Sequence, residues 1–187
     1  MYANPVPGGN KARPGDVVLV SGDIGDHGAT VMAARVEGGL MRNLHSDTAP
    51  LADLIKALFE NASPIHVLRD PTRGGLATTL NEIAGQSGVS IEIEENALPI
   101  KTEVIDACSI LGIDPLYMAN EGMCIVILPE DNAQAALQTM REYPAGRNAK
   151  LIGKVTSGKA GRVIIKTKIG GQRIVTMLEG APLPRIC

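Results

Sequence analysis

Residues 16–28, DVVLVSGDIGDHG, decide how the rest of the chain folds. The first half is almost entirely apolar, which is typical of a strand covered on both faces in the middle of a sheet. A glycine-rich turn follows, and a helix is predicted over residues 29–37. A strand, such a turn and a helix start can together bind an anion. We therefore place Asp26, His27 and Gly28 in a first candidate site, although its aspartates repel phosphate unless a cation intervenes.

Apolar spacing predicts alternating strands and helices along the rest of the chain. This order predicts an α/β (α+β) architecture, in which helices are layered on a mixed β-sheet. Residues 89–94 alternate apolar and polar side chains, so we expect this strand toward an edge of the sheet. Asp47 or Thr48, before Pro50, is the predicted start of a helix. The other predicted helices lie near 51–59, 76–88, 103–111 and 130–140, and the other strands near 65–69, 123–128, 151–155, 162–169 and 172–177.

Two further motifs follow predicted strands. Residues 70–75, DPTRGG, come directly after one strand and open a helix. Thr72 can cap that helix, and Arg73 can offer a bidentate fork to phosphate or carboxylate. Residues 120–122, NEG, form a charged turn just before an apolar strand. Both motifs are candidate sites, with a helix cap and a solvated turn as the structural alternatives.

The composition excludes several classes of function. The chain has 18 basic and 20 acidic residues among 187, one Phe and no Trp, so it lacks the charge and the stacking surfaces of a nucleic-acid binder. No apolar run is long enough to cross a membrane, and we expect a soluble, cytoplasmic protein. Three cysteines without a C-x-x-C pair argue against a disulfide framework or a zinc site. Cys108 and Cys124 are predicted to lie in the core.

Three segments are predicted. Residues 1–15 are rich in proline and glycine and resemble a linker, residues 16–177 form one domain, and residues 178–187 form a flexible tail. From residue 176 the tail can reach about 35 Å at about 3.3 Å per residue. It ends in a thiol, Cys187. The residues alone leave two interpretations open: a frayed terminus, or an arm that carries the thiol to an active site.

Taken together at these separations, the three motifs resemble the carboxy-terminal domain of the aminoimidazole ribonucleotide synthetase superfamily. The last four residues, PRIC, resemble the tail of its hydrogenase-maturation branch, the HypE family. The resemblance covers residues 13 to 187. It implies the fold of that domain, the use of ATP and Mg²⁺, and a homodimer. It also implies an amino-terminal domain that supplies most ATP and Mg²⁺ contacts; we do not find its motifs here, so we expect the chain alone to bind ATP poorly and to be inactive.

The resemblance also implies a reaction. In that family the terminal thiol receives a carbamoyl group from the partner HypF, and ATP-dependent dehydration turns the thiocarboxamide into a thiocyanate. The cyanide then passes to iron held by HypC and HypD. On this basis Cys187 is the substrate thiol, Glu121 the candidate base and Arg73 a residue that stabilises phosphate charge. The remaining candidates would bind the tail or phosphate: Asp70, Thr72, Gly74, Gly75, Asn120, Gly122, Asp26, His27, Gly28 and Arg185. No metal ligand is predicted in this chain.

Two alternatives remain. The chain could be a non-catalytic carrier that presents Cys187 to partner proteins, or another ATP-using synthetase of the same superfamily. The fate of Cys187 distinguishes them, because a carrier takes up the carbamoyl group without dehydrating it. Another synthetase keeps its activity when Cys187 is removed.

Overall fold

One seven-stranded mixed sheet organises the part of the chain that this computed structural model describes, residues 6–35 and 43–177. Only β3 and β6 run parallel, and all other neighbouring strands are antiparallel. The predicted mixed sheet is therefore confirmed. In spatial order the strands are β2 (Val67–Arg69), β4 (Ile125–Pro129), β1 (Asp16–Val20), β5 (Lys150–Thr156), β3 (Ser90–Glu94), β6 (Arg162–Lys166) and β7 (Gln172–Val175).

Five α-helices lie in the described residues. One cluster of buried side chains joins α3 to one face of the sheet, and a second joins α2 and α5 to the other face. A third, smaller cluster packs α1 against α4. The bounds are α1 (Asp26–Arg35), α2 (Ala52–Asn61), α3 (Gly75–Ser87), α4 (Thr102–Leu111) and α5 (Ala133–Arg141). None of them is long and apolar enough to cross a membrane, within residues 6–35 and 43–177.

Strand β1 lies inside the sheet, as its apolar sequence predicted. Val18 and Val20 belong to the cluster with α3, whereas Val17 and Leu19 belong to the cluster with α2 and α5. Each side chain that is fully buried in this way contributes about 1.5–3 kcal/mol to folding. The continuous apolar run is therefore explained by cover on both faces.

The prediction that the alternating strand lies toward an edge was wrong. Strand β3 lies between β5 and β6, fifth of the seven strands. Ile91 and Ile93 face the core, whereas Glu92 and Glu94 both pair with Lys166, at 3.0 and 3.3 Å. The alternation arises because this part of the sheet has a polar, ion-paired face opposite its apolar one. It does not report the position of the strand within the sheet.

Helix α1 begins earlier than the sequence predicted. Its first turn starts at Asp26 and includes His27 and Gly28, which were expected to belong to the preceding loop. A carboxylate in the first turn interacts favourably with the positive end of the helix dipole. The first candidate site is therefore held on a helix start, directly after Gly25, whose φ of +86° requires glycine.

Residues 6–15, interpreted as a linker, lie against the domain. The backbone N–H of Gly8 donates to the carbonyl of His66, and that of Gly15 donates to the carbonyl of Val155. Ala12 is buried in the cluster that contains α3. The segment therefore contributes to the hydrophobic core, in addition to its predicted role as a linker.

Candidate functional site

Asn120 joins the three predicted motifs. Its side-chain oxygen accepts from the backbone N–H of Gly25 at 2.9 Å, and its amide donates to the carbonyl of Asp23 at 2.9 Å. The same amide nitrogen donates to Oδ2 of Asp47 at 2.9 Å, and the backbone N–H of Asn120 donates to the carbonyl of Pro71 at 3.1 Å. Since Asn120 is fully buried, these bonds fix the relative positions of the motifs. We call this set of contacts the Asn120 junction.

Asp47 holds the turn that follows Asn120. Its carboxylate accepts from the backbone N–H groups of Glu121 at 3.1 Å and Gly122 at 3.0 Å, in addition to the Asn120 amide. Gly122 permits the close approach, because a Cβ there would lie 1.7 Å from the carbonyl oxygen of Asp47. The predicted role of Asp47 as a helix cap was wrong. Helix α2 follows Leu51 and has no side-chain cap.

Two predicted site glycines serve in packing around the junction. Gly28 donates its N–H to the carbonyl of Ala119, and a Cβ on Gly28 would lie 2.7 Å from the Ala119 nitrogen. Gly75 has a φ of +61°, and its Cβ would lie 2.5 Å from the carbonyl oxygen of Met118. Both glycines therefore let helix starts approach the backbone that leads into Asn120.

The start of α3 does not use the predicted threonine cap. The N-cap is Gly74, with a φ of +71° and no side-chain hydrogen bond, while Thr72 contributes only its carbonyl oxygen to the turn. Arg73 and Asp70 are exposed, and neither side chain has a hydrogen bond or ion pair with another described residue. The two side chains therefore do not pair with each other. The Arg73 guanidinium is instead free to meet an anion.

Two side chains that the sequence did not single out, those of Lys101 and Asn148, lie beside the junction. Lys101 donates to Asp26 at 2.5 Å and lies 3.4 Å from Asp23, and the Asn148 amide donates to Asp23 at 2.7 Å. Burial raises the pKa of Asp26 despite the Lys101 bond, and the charges of Asp23 and Asp47 add to this rise. Partial burial opposes protonation of Lys101, but its contacts with Asp26 and Asp23 outweigh this and raise its pKa.

A hollow of about 260 Å³ opens beside these groups. We call it the acidic hollow, because Asp23, Asp26 and Asp47 line it together with Gly122 and Asn148. These carboxylates are engaged by Lys101, Asn120, Asn148 and two backbone N–H groups. No group of three or more His, Cys, Asp or Glu residues in the described ranges is arranged to hold a metal ion.

The remaining candidates are partly accounted for. Glu121 is exposed, with its backbone held by Asp47. The ring of His27 is bonded through Nδ1 to the hydroxyl of Ser46 at 2.9 Å, which links α1 to the loop that carries Asp47. Arg185 and Cys187 lie outside the described residues.

Sequence reasoning missed Lys101 and Asn148, and it assigned Asp47 to a helix start instead of the site. Asp47 contacts residues 73 to 75 positions away in the chain, and Asn148 contacts Asp23 across 125 positions. No local spacing predicts such contacts. One signal was present: a loop that carries polar residues before an amphipathic helix can supply site residues as readily as a cap.

The sheet and its helices form a domain of the kind found in proteins related to aminoimidazole ribonucleotide (AIR) synthetases. The chain belongs to the family described as AIR synthase related protein, C-terminal domain, which matches residues 13–166. Within that family the hydrogenase-maturation branch, which the tail indicated, is confirmed by the relatives that follow.

Several of the similar proteins are HypE proteins. Carbamoyl dehydratase HypE of Rhodobacter capsulatus is 50% identical over 177 residues, which are 95% of this chain and 52% of the relative. A crystal structure of hydrogenase maturation protein HypE has a TM-score of 0.94 at 50% identity, covering 98% of this chain and 59% of that one. This chain thus spans about half the length of the curated relatives it matches.

Two further structures show such proteins with other molecules. A HypE structure in complex with ATP has a TM-score of 0.91 at 49% identity, and covers 97% of this chain and 55% of that one. A HypE–HypF complex contains a chain with a TM-score of 0.86 at 46% identity, covering 91% of this chain and 55% of that one. Those HypE proteins therefore form complexes with ATP and with HypF.

Proposed function

We propose that this chain contributes the carboxy-terminal domain of an ATP-dependent carbamoyl dehydratase that acts on its own Cys187 during nickel–iron hydrogenase maturation. One observation carries the proposal. Three motifs that are far apart in the sequence meet at the Asn120 junction, in a chain 50% identical to a carbamoyl dehydratase.

The proposed reaction has two steps. The Cys187 sulfur first attacks the carbonyl carbon of an activated carbamoyl group held by a HypF-type carbamoyltransferase. An S–C bond forms, the bond from that carbon to its leaving group breaks, and the thiol proton is released. The carbonyl oxygen of the thiocarboxamide then attacks the terminal phosphate of ATP, and ADP leaves. Loss of the nitrogen protons expels phosphate with that oxygen, and a thiocyanate remains on sulfur.

Residues of this chain have distinct roles in the proposal. Glu121 is exposed beside the junction and takes a proton from the nitrogen. Arg73, whose guanidinium has no partner among the described residues, stabilises charge on the transferred phosphate. Asn120 acts through the backbone it positions.

The other predicted binding residues are proposed to surround the tail and phosphate. Mg²⁺ is not assigned to any residue of this chain. Most of these residues lie in the three motifs, and one lies in the tail. The motif residues are Asp26, His27, Gly28, Asp70, Thr72, Gly74, Gly75 and Gly122, and the tail residue is Arg185.

The proposal includes partners and a location. A HypF-type protein supplies the carbamoyl group, which the HypE–HypF complex of a similar protein supports. A HypC–HypD scaffold accepts the cyanide, the active assembly is a homodimer, and the reaction takes place in the cytoplasm.

The experiment follows the mass of Cys187. Residues 1–187 replace the matched region of the R. capsulatus relative, and the chimera is incubated with its HypF, carbamoyl phosphate and ATP. We expect the peptide that carries Cys187 to gain one carbamoyl group and then lose one water, and the Cys187→Ser chimera to gain neither. Absence of any adduct contradicts the proposal. An adduct that never loses water favours the carrier. If the Cys187→Ser chimera still turns over ATP, the result favours another synthetase.

A further inference from the structure

A second hollow adjoins the acidic one and has the opposite charge. Its volume is about 440 Å³, and it shares Asp23 and Asn148 with the acidic hollow. Lys101, Arg141, Arg147 and Lys150 line it. We call it the basic hollow. Four cations face one carboxylate in a chain whose net charge is −2, so the positive charge is concentrated at this place.

Most of that positive charge is not neutralised. Asp23 is engaged by Lys101 and by the amide of Asn148, and Lys101 is further bound by Asp26. Arg147 and Lys150 are exposed, and their side chains have no hydrogen bond or ion pair with another described residue. Two cations therefore lie in the basic hollow without a carboxylate to balance them.

The Arg141 guanidinium is held by one hydrogen bond, and most of its N–H donors remain available. One guanidinium nitrogen donates to the carbonyl of Ala149 at 3.0 Å, and that carbonyl belongs to another residue of the lining. This bond uses one of the five N–H groups of a guanidinium. A planar fork fixed in this way loses less entropy when it binds an oxyanion.

The rest of the lining is apolar. Leu98, Pro99 and Ile100 form this part of the wall, and Pro99 is buried. The volume falls within the range of about 300–1,000 Å³ that is usual for small-molecule sites. An apolar wall beside unpaired cations suits a small molecule with an anionic group and a less polar body.

We propose that the basic hollow binds the phosphate group of a small phosphorylated metabolite through Arg141, Arg147 and Lys150. One guanidinium group can bind two phosphate oxygens through parallel hydrogen bonds, and a lysine adds a point charge. The proposal does not depend on the dehydratase reaction, because neither Arg73 nor Glu121 lines this hollow. Nucleotides, sugar phosphates and inorganic pyrophosphate share the recognised chemistry.

The test uses the 187-residue chain and inorganic pyrophosphate as the probe. Nuclear magnetic resonance titration is expected to shift the backbone amides of Arg147, Asn148 and Lys150 in a saturable manner. The double substitution Arg147→Gln/Lys150→Gln is expected to weaken binding about tenfold or more, because two charged hydrogen-bond donors are lost. The control Arg13→Gln/Lys159→Gln removes two exposed cations outside the hollow and is expected to change affinity by less than about twofold.

Two results overturn the proposal. One is the absence of saturable shifts at residues 147–150, and the other is an equal loss of affinity in both double variants, which means diffuse charge attraction only. If pyrophosphate binds as expected, titration with ATP and ribose 5-phosphate identifies the source of the phosphate. Tighter binding of ATP than of pyrophosphate means that the wall of Leu98 and Ile100 contacts the body of the ligand, whereas equal affinity means that the phosphate alone is recognised.

Discussion

Asn120 uses both amide hydrogens and its amide oxygen within the protein, although it was predicted as a binding residue. Its contribution is therefore to position the backbone of Gly25, Asp23 and Pro71 and the carboxylate of Asp47. A residue that acts in this way changes stability when it is replaced. A residue that only contacts ligand does not.

Replacing Asn120 tests this role. Asn120→Ala leaves the N–H of Gly25 and the carbonyl of Asp23 without a partner in a buried place, which costs about 1–3 kcal/mol in the free energy of unfolding. Chemical denaturation of Asn120→Ala, Asp47→Ala and the double variant measures their coupling. We expect a coupling of about 1 kcal/mol, since the two side chains are bonded directly. Additive losses, equal to the sum of the single variants, contradict a direct role of this bond.

Asp26 predicts a specific pH dependence. Because its folded pKa is raised above 3.8, the folded chain binds this proton more tightly than the unfolded chain does. The contribution of Asp26 to stability is present below pH 3.8 and is lost as the pH rises through the raised folded pKa. The unfolding free energy of the wild type should therefore fall relative to that of Asp26→Asn over this window. A difference that is constant or grows with pH contradicts the assignment.

Replacing Lys101 provides a matched test of the pH dependence that Asp26 causes. Its hydrogen bond and charge lower the pKa of Asp26 and so oppose the effect of burial. Lys101→Met should increase the loss of stability with rising pH, measured by the same denaturation series.

The two structured cysteines should be protected from thiol reagents. Burial raises the pKa of Cys108 and Cys124 to about 11 in each case, and nearby carboxylates, Asp114 and Asp70 respectively, add to the rise. Mass spectrometry after brief labelling at neutral pH should find both thiols unmodified in the folded chain and modified in denaturant. Labelling of either one in the folded chain contradicts the packing described here.

Among single residues, the sequence predicted those that carry a local pattern. Cys108 and Cys124 share apolar faces with their neighbours, and their burial is confirmed. Asp47 and Lys101 were missed as site residues because each acts through partners more than 70 positions away. Their types and spacing are ordinary for a loop or a helix start.

At the scale of elements, glycines decide how closely the loops approach the junction. Gly122 lies against the backbone of Asp47, whereas Gly85 on α3 has open space where a Cβ would lie. This contrast offers a matched pair of alanine substitutions.

We expect Gly122→Ala to lower the free energy of unfolding by about 1–3 kcal/mol, because the loop that carries Asp47 must move. Gly85→Ala should raise it by about 0.5–1 kcal/mol, because alanine is the better helix former. Denaturation curves for the two variants show directly whether each substitution lowers or raises the free energy of unfolding. Equal effects would show that the close contact at Gly122 does not hold the loop.

The order of elements could be predicted, but positions within the sheet could not. Strand β1 is apolar on both faces, and only an internal strand explains that pattern. Apolar and polar side chains alternate along strand β3. This pattern shows which face of the strand is polar, but not how many neighbouring strands it has. The hairpin of β6 and β7 was predicted from the glycine pair between them, and it is confirmed.

At the scale of the whole molecule, two hollows of opposite charge adjoin. They meet at Asp23 and Asn148, and Lys101 bonds to carboxylates on the acidic side while lining the basic one. This arrangement places Lys101 at the boundary between the two hollows. It was beyond the reach of sequence patterns, because the two walls come from the turn after β1, the segment before α4 and the segment before β5.

The central claim is that this domain takes part in dehydrating the group carried by Cys187. The most direct test separates carbamoylation from dehydration in the chimera described above, by following the mass of the Cys187 peptide over time. Glu121→Gln should take up the carbamoyl group at the normal rate and dehydrate it about 10²–10⁴-fold more slowly, since a general base has been removed. Glu60→Gln, an exposed glutamate on α2, is the control and should leave both steps unchanged. Dehydration at an unchanged rate in Glu121→Gln contradicts the claim that Glu121 supplies the base.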